Sequence, residues 1–341
     1  MPPAARPSLI TLGEALVDLV AVEATGPSLA DATLFARAAG GAPANVAVGA
    51  ARLGVGTSFV GRVGADPFGD HLLATLADEG VDVSLLRRDP AARTALAFVA
   101  LGDGGERDFF FYRQGAADTR LEPADVDEGY LAGAHVLHVG TLSLTAEPSR
   151  SATLHALALA ERHGVTRSLD PNLRLDLWPS PAAAREAVLT LLPRVNLLKL
   201  SAEELAFLVG DPGLEAARAL CHPGLELLCV TRGAGGVDYL ARSGPAAAGA
   251  TWRAGHVPGF SVTALDTTGA GDAFMAALLA AWCAHPPGGA ALSADPAALE
   301  AALRRANAYA ALTVTRHGAI PALPERAELE AFLAWAGGPP A

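Results

Sequence analysis

From residue 134 onward the chain alternates short β-type apolar runs with runs of helical period, and this rhythm limits the fold more than any other feature. Ala134 to Val139, Thr166 to Asp170, Val195 to Leu200 and Leu225 to Thr231 read as strands. Pro148 to His163, Pro181 to Leu192, Glu203 to Val209, Gly271 to Ala284 and Ala297 to Thr315 read as helices. A helix between two strands carries the chain back across the sheet, so the strands run parallel and helices cover the faces. The class is therefore α/β with a mainly parallel central sheet. Such sheets hold ligands at the C-terminal ends of their strands.

The N-terminal part follows the rhythm less regularly. Ser8 to Val22 reads as a strand, a Gly-Glu turn and a second apolar run. Asn45 to Leu53 is an Ala/Val-rich helix after Gly40 and Gly41, and Ser58 to Val63 is β-type. Pro67 to Glu79 is an amphipathic helix closed by Gly80. Then the texture changes. Thr94 to Leu101 and Arg107 to Arg113 are β-type and flank Gly102-Asp103-Gly104-Gly105, a hairpin signal. Inserted between α/β units, this hairpin can fold over a site as a lid. No linker divides the 341 residues, so one domain is expected. Ser243 to Ala250, Pro286 to Ala294 and Gly337 to Ala341 read as surface loops or disorder.

Composition excludes whole classes of function. Hydrophobic residues make up 51% and charged residues 18%, which supplies a core and rules out a disordered chain. The 25 basic and 36 acidic residues leave a net charge of −11, so the cationic footprint of a nucleic-acid or anionic-membrane binder is missing. Among the basic residues Lys199 is the single lysine, and it follows Leu198, so no Walker-A loop exists. The Gly-rich loop, Val-Ala-Ile-Lys and His-Arg-Asp set of protein kinases is absent as well. Cys221, Cys229 and Cys283 form no disulfide framework and no Cys-x-x-Cys, so free thiols in a reducing compartment are expected. Met1 to Pro7 shows no signal-peptide pattern, and Ala273 to Ala284 is too short to span a bilayer. A soluble, cytoplasmic protein is the expectation. His135 and His138, three apart on a strand, face opposite sides and share no metal.

Two segments carry the chemistry. Asp266-Thr267-Thr268-Gly269-Ala270-Gly271-Asp272-Ala273-Phe274 places small residues at the start of an apolar helix. Backbone N–H groups there face outward, and the helix dipole favours an anion. An acidic residue in that turn opposes simple phosphate holding. It makes sense if Asp272 takes a proton from a hydroxyl that attacks a phosphoryl group, although the same Asp could simply cap its helix. The second segment is Gly40-Gly41-Ala42-Pro43-Ala44-Asn45-Val46-Ala47, with Gly54 and Gly64 downstream. Its glycines permit close backbone approach, and Asn45 offers a donor and an acceptor to a polyol.

Together the two segments resemble the signature motifs of the ribokinase/fructokinase family of carbohydrate kinases. Gly40, Gly41, Asn45, Ala47, Gly54 and Gly64 match the first, and Asp266 to Leu279 match the second. Gly13-Glu14-Ala15-Leu16-Val17-Asp18, Gly105 to Arg113 with Ala117-Asp118, Ser168 to Arg174 with Leu177-Trp178, and Lys199 to Leu205 are similar to the fructokinase branch. Keto-deoxy sugar acid kinases share several of these.

The resemblance implies a ribokinase-like three-layer αβα domain with a small β-strand lid built from about residues 15–40 and 92–115. It implies Asp272 as catalytic base, with the amides of Gly269, Ala270 and Gly271 stabilising the transferring phosphoryl group. Asp18, Gly40, Gly41 and Asn45 would hold the sugar, with Arg113 and Arg174 closing on sugar or phosphates and Asp170 and Asn172 at a strand end nearby. Glu204 matches an acidic position linked to Mg²⁺ and phosphate, although Ser201 stands where the family has Asn. Lys199 is a nucleotide contact or a structural cation. Thr231, Gly233, Gly235 and Gly236 match the nucleotide loop, and Asn307 matches the adenine site. Asp266 and Thr268 match positions that help hold K⁺. The implied reaction is MgATP-dependent phosphorylation of a primary hydroxyl, most simply D-fructose to fructose 6-phosphate. The alternatives are 2-keto-3-deoxygluconate or another sugar as substrate, or a non-catalytic sensor on the same fold. A homodimer through the lid is also implied, because a hairpin with Phe109 and Phe111 on one face wants a cover.

Overall fold

The structure, a computed structural model, describes residues 7–24, 28–101, 107–243, 251–285 and 292–336. The expected turn at Gly102 to Gly105, the loop over 244–250, residues 286–291 and the tail from Gly337 lie outside the described residues. In chain order the strands are β1 (Leu9–Leu12), β2 (Leu16–Ala24), β3 (Ala32–Gly40), β4 (Thr57–Gly64), β5 (Leu86–Asp89), β6 (Leu96–Leu101) and β7 (Arg107–Tyr112). They continue with β8 (Val136–Val139), β9 (Thr166–Leu169), β10 (Leu197–Ser201), β11 (Leu227–Thr231), β12 (Val237–Ser243) and β13 (Thr251–Val257). The helices are α1 (Ala42–Arg52), α2 (Pro67–Asp78), α3 (Glu128–Leu131), α4 (Ser149–Arg162), α5 (Pro181–Leu191), α6 (Ala202–Val209), α7 (Leu214–Ala217), α8 (Ala270–Cys283), α9 (Pro296–Thr313) and α10 (Arg326–Ala336).

Nine strands form the main sheet in the order β13-β12-β11-β10-β9-β8-β1-β4-β5. Pairings from β11 through to β5 are parallel. Strands β12 and β13 join antiparallel at one edge, where the alternation read from the sequence breaks off. Side chains alternate between two cores. On β11, Leu227 and Cys229 face one core, with α1, α8 and α9, while Leu228 and Val230 face the other, with α4, α5 and α6. This gives three layers, and Val136, Leu137, Leu198, Leu228 and Tyr309 are at most 2% exposed. The cysteines are unpaired, Cys229 in the core and the other two half-buried. His138 is buried beside Ser168 at 3.0 Å.

A second sheet of four strands, ordered β3-β2-β6-β7, stands on the main body. Its strands come from the segments 16–40 and 96–112. The chain leaves the main sheet after β1 and turns at Gly13–Glu14 into β2. It re-enters at Gly41, directly before α1. Strand β3, inside the expected lid segment 15–40 but given no strand reading of its own, is a nine-residue partner of β2. One expectation needs correction: Phe111 needs no external cover, since it packs on the small cluster of Leu16, Ala95, Ala97 and Ala116. The exposed aromatics of β7 are Phe110 and Tyr112, on the opposite face; the side chain of Phe109 lies outside the described residues.

Candidate active site

Two clefts open at the C-terminal ends of the parallel strands, and the first turn of α8 separates them. The first lies under the lid and is lined by Glu14, Leu16, Asp18, Gly41, Asn45 and Phe111 together with Leu142, Asn172, Arg174, Thr268, Gly269 and Asp272. The second, the roomier at about 310 Å³ against about 80 Å³, is lined by Thr231, Gly233, Gly236, Phe260, Ala270, Gly271, Phe274 and Asn307 among others. Gly269 and Asp272 thus face one cleft while Ala270 and Gly271 face the other.

Asp272 is buried in the third position of α8, behind Gly269, whose φ of 76° starts the helix. Asn45 Nδ2 donates to Asp272 Oδ2 at 2.7 Å, and Asn172 Nδ2 donates to Oδ1 at 3.3 Å. Asn172 has a φ of 45°, the one positive value outside glycine among the described residues. Backbone held in that region concentrates at functional sites. Burial raises the Asp272 carboxyl to about 6, opposed by the Asn45 hydrogen bond and pushed further by Asp170. Asp18 is raised to about 7, first by burial and then by the charge of Asp272; Arg174 pulls it back. Gly40, at the end of β3, leaves room for this carboxylate: a Cβ there would lie 2.1 Å from Asp18 Oδ2.

The first cleft carries Asp18 and Asp272 against one cation, Arg174, whose Nη1 donates to Asn172 Oδ1 at 2.6 Å. Arg113 was expected there as well. Instead it is 5% exposed and lines neither cleft. Its Nε donates to Asp118 Oδ2 at 2.5 Å, Nη1 to Thr145 Oγ1 at 2.7 Å and Nη2 to Leu142 O at 3.0 Å. With all three nitrogens engaged by its own surroundings, this guanidinium is turned away from the cleft.

Behind the α8 turn, Lys199 Nζ donates to Asp170 Oδ2 at 2.8 Å, both buried. Burial alone would lower the Lys199 pKa, but Asp170, Glu204 and Asp272 together hold it above its usual value. Lys199 Nζ lies 2.8 Å from the point a Cβ on Gly271 would occupy, so a side chain at 271 would collide with it. Lys199 is thereby placed under the turn rather than along the second cleft. Asp170 Oδ1 is buried without a hydrogen-bond partner.

Glu204 and Ser201 form a reciprocal cap on α6: Ser201 Oγ accepts from Glu204 N at 3.1 Å, and Glu204 Oε2 accepts from Ser201 N at 2.8 Å. Glu204 Oε1 accepts from Leu173 N at 2.9 Å, which fixes the loop carrying Asn172 and Arg174. Asp266 Oδ1 accepts from Thr268 N and Oγ1 at 2.9 and 2.6 Å, and Oδ2 accepts from Gly318 N at 2.8 Å, so it closes the loop before α8.

The second cleft is mostly apolar with a few polar groups at its rim, the usual make-up of a small-molecule site. Gly235 belongs to the Gly233–Gly235 turn that follows β11. Asn307 Nδ2 donates to Val257 O and Pro258 O at 3.0 and 3.1 Å, which holds the end of β13 as one wall.

Sequence reasoning overlooked Glu14 as a site residue. It is 3% exposed, lines the first cleft, and its Oε1 accepts from Ala42 N at 3.2 Å. The signal was present: an acidic residue in an otherwise apolar stretch between two strands.

Comparison with known proteins identifies the family. The profile of the pfkB family carbohydrate kinases matches residues 6–326. The chain is 44% identical to probable fructokinase-4 of Arabidopsis thaliana, over 95% of this chain and 96% of that one. It is 45% identical to fructokinase-1 of Oryza sativa subsp. japonica, over 94% and 96%. Among solved structures, a Xylella fastidiosa fructokinase with bound ATP superposes with a TM-score of 0.86 at 34% identity, covering 97% of this chain and all of that one. A Vibrio cholerae O395 fructokinase solved with fructose, ADP and calcium gives 0.82 at 36% identity, covering 96% and 99%. Fold, motifs and extended sequence identity converge, and the chain belongs to the pfkB family of carbohydrate kinases.

Proposed function

We propose that the protein is a fructokinase, transferring the γ-phosphoryl group of MgATP to the primary hydroxyl at C6 of D-fructose. The observation that carries this reading is the position of Asp272, on a helix turn with a polyol-type cleft on one side and an apolar, glycine-rimmed cleft on the other. Sugar in the first and nucleotide in the second would meet over that turn. The sugar oxygen attacks the γ-phosphorus, the bond to the β,γ-bridging oxygen breaks, ADP departs, and the hydroxyl proton passes to Asp272. Amides of Gly269 to Gly271 at the positive end of α8, with Lys199 beneath them, face the charge that develops on the phosphoryl oxygens. The lid excludes water, the competing nucleophile.

Fructose is favoured over a sugar acid by charge. Asp18 and Asp272 outnumber Arg174 in the first cleft, and Arg113 is committed elsewhere, so a substrate carboxylate would meet net repulsion. The relatives named as fructokinases and the fructose-bound Vibrio protein support the same substrate. Mg²⁺ would arrive with the nucleotide; Asp170, with one buried oxygen unpartnered, and Glu204, whose oxygens each accept one backbone N–H, are the acidic groups behind the α8 turn that would hold it or its water shell. Related Vibrio structures contain calcium or potassium, and we assign the loop of Asp266 and Thr268 as the place where K⁺ would act. We also read the lid as a dimer contact. Phe35, Phe98, Tyr112 and Phe110 form a row of edge-on rings with centroids 5.2–5.4 Å apart, and Phe110 and Tyr112 at its end are 56% and 62% exposed.

The chemistry is tested by Asp272→Asn. With fructose and MgATP, kcat should fall by about 10²–10⁴, the usual worth of a general base, while the fold, read by circular dichroism, is kept. A variant retaining near-full kcat would overturn the mechanism.

A further inference from the structure

The four lid strands are rooted in the body at four points. Glu14 lies two residues before β2, Gly41 and Ala42 directly follow β3, Ala95 precedes β6, and Arg113 directly follows β7. Two buried charged groups bear on three of these roots, those of β2, β3 and β7. Glu14 at the root of β2 accepts the N–H of Ala42 at the root of β3. Arg113 at the root of β7 pairs with Asp118 and grips the body at Leu142 and Thr145. Glu14 lies within electrostatic reach of both Arg113 and Asp118. All three side chains are at most 5% exposed, and Glu14 Oε2 and Asp118 Oδ1 have no hydrogen-bond partner. A fully buried cluster with two carboxylates and one guanidinium is a costly way to fix a loop.

The positions it sets are telling. The root of β2 leads into Leu16 and Asp18, Ala42 adjoins Gly41, and Arg113 holds Leu142. Leu16, Asp18, Gly41, Ala42 and Leu142 all line the first cleft, and none of them lines the second.

We propose that Glu14 and Arg113, with Asp118, act as one positioning unit that registers the lid on the body and so shapes the sugar cleft without touching the phosphoryl-transfer path. This deepens the fructokinase reading and rests on it. Because the unit acts on sugar walls alone, its loss shows in affinity for fructose and not for nucleotide. Because it is one unit, removing either member removes the same thing.

The test is a double-mutant cycle of Glu14→Gln and Arg113→Lys at pH 8. Gln keeps the shape and the acceptor for Ala42 while losing the charge that faces Arg113; Lys keeps a charge but cannot span Asp118, Thr145 and Leu142. Fructose turnover by the unaltered protein is measured first, and its absence refutes the substrate assignment, not the unit. Each single variant should raise the fructose KM about tenfold, and the double variant about tenfold again relative to the unaltered protein rather than a hundredfold, the mark of coupled sites. The KM for MgATP should stay within about twofold and kcat within about threefold. Multiplying effects, with about a hundredfold in the double variant, would mean two independent contacts and overturn the unit. A fructose KM unchanged in both singles would overturn it too, as would parallel loss of both KM values, kcat and melting temperature, which marks general structural damage. If Arg113→Lys does not fold, Asp118→Asn takes its place in the cycle with the same criteria.

Discussion

At the scale of the residue, the site is governed by carboxylates that resist ionisation. Asp272 and Asp18 are raised to about 6 and about 7, chiefly by burial. A base must be ionised to accept a proton, so kcat/KM for fructose should climb as pH rises from 5.5 to 7.5 and then level. Stability should move the other way. A carboxyl whose folded pKa lies above its unfolded value favours the fold fully below the unfolded value, near 4, and that contribution is lost as pH rises through the folded value. Asp18→Asn should therefore gain stability over the unaltered protein at pH 8 relative to pH 4, by about 4 kcal/mol, read by urea unfolding at the two pH values. An activity profile flat from 5.5 to 7.5 with no pH-dependent gain in stability would contradict the assignment of both groups. Sequence alone singled out Asp272, Asn45, Asp18 and Arg174, because each sits in a motif or beside a strand end. It misread Arg113: an arginine at the end of a lid strand looks the same on paper whether its side chain turns outward to a substrate or back into a buried pair with Asp118. Glu14 escaped although its apolar surroundings were a signal, because an acid between two strands also fits a turn that closes in solvent.

At the scale of the element, helices with a glycine-rich entry and a long apolar face were legible. The main-sheet strands β8, β10 and β11 were legible too, as largely apolar runs between helices, and β9, Thr-Arg-Ser-Leu, by its place in the alternation. What remained hidden was short, polar or at an edge. Strand β5 is Leu-Arg-Arg-Asp, four residues with two arginines, and it exists because β4 offers it an open edge. Strand β3 is rich in alanine and carries no β signal of its own; pairing with β2 makes it a strand. The β12–β13 pair closes the other edge and runs antiparallel, so no connecting helix announces it. Helix α10, close to the chain end, carried no motif. Strand β3 matters for function through its last residue. Gly40→Ala would place a methyl 2.1 Å from Asp18 Oδ2 and force the carboxylate aside. The fructose KM should rise at least about tenfold with little change in the KM for MgATP, since binding geometry lost at one substrate is felt there. An unchanged fructose KM would separate Asp18 from sugar binding.

At the scale of the whole molecule, a three-layer body supplies a rigid floor of strand ends, and a separate sheet supplies the cover. The alternation of strands and helices, with two motifs at opposite ends of the sequence, made this architecture readable in advance. The antiparallel edge and the face of the lid that remains open were not, because they depend on which side of β7 the body occupies. That open face bears Phe110 and Tyr112, and pairing through it predicts a dimer by light scattering at micromolar concentration, shifted toward monomer by Phe110→Asp. A monomer in the unaltered protein would remove the lid contact. The most direct test of the account is ADP release with MgATP and K⁺ across fructose, ribose, adenosine, tagatose, 2-keto-3-deoxygluconate and fructose phosphates. Fructose should turn over well above the rest, with one fructose 6-phosphate formed per ADP. Preferred turnover of the sugar acid, or none with any of the panel in a folded protein, would contradict it.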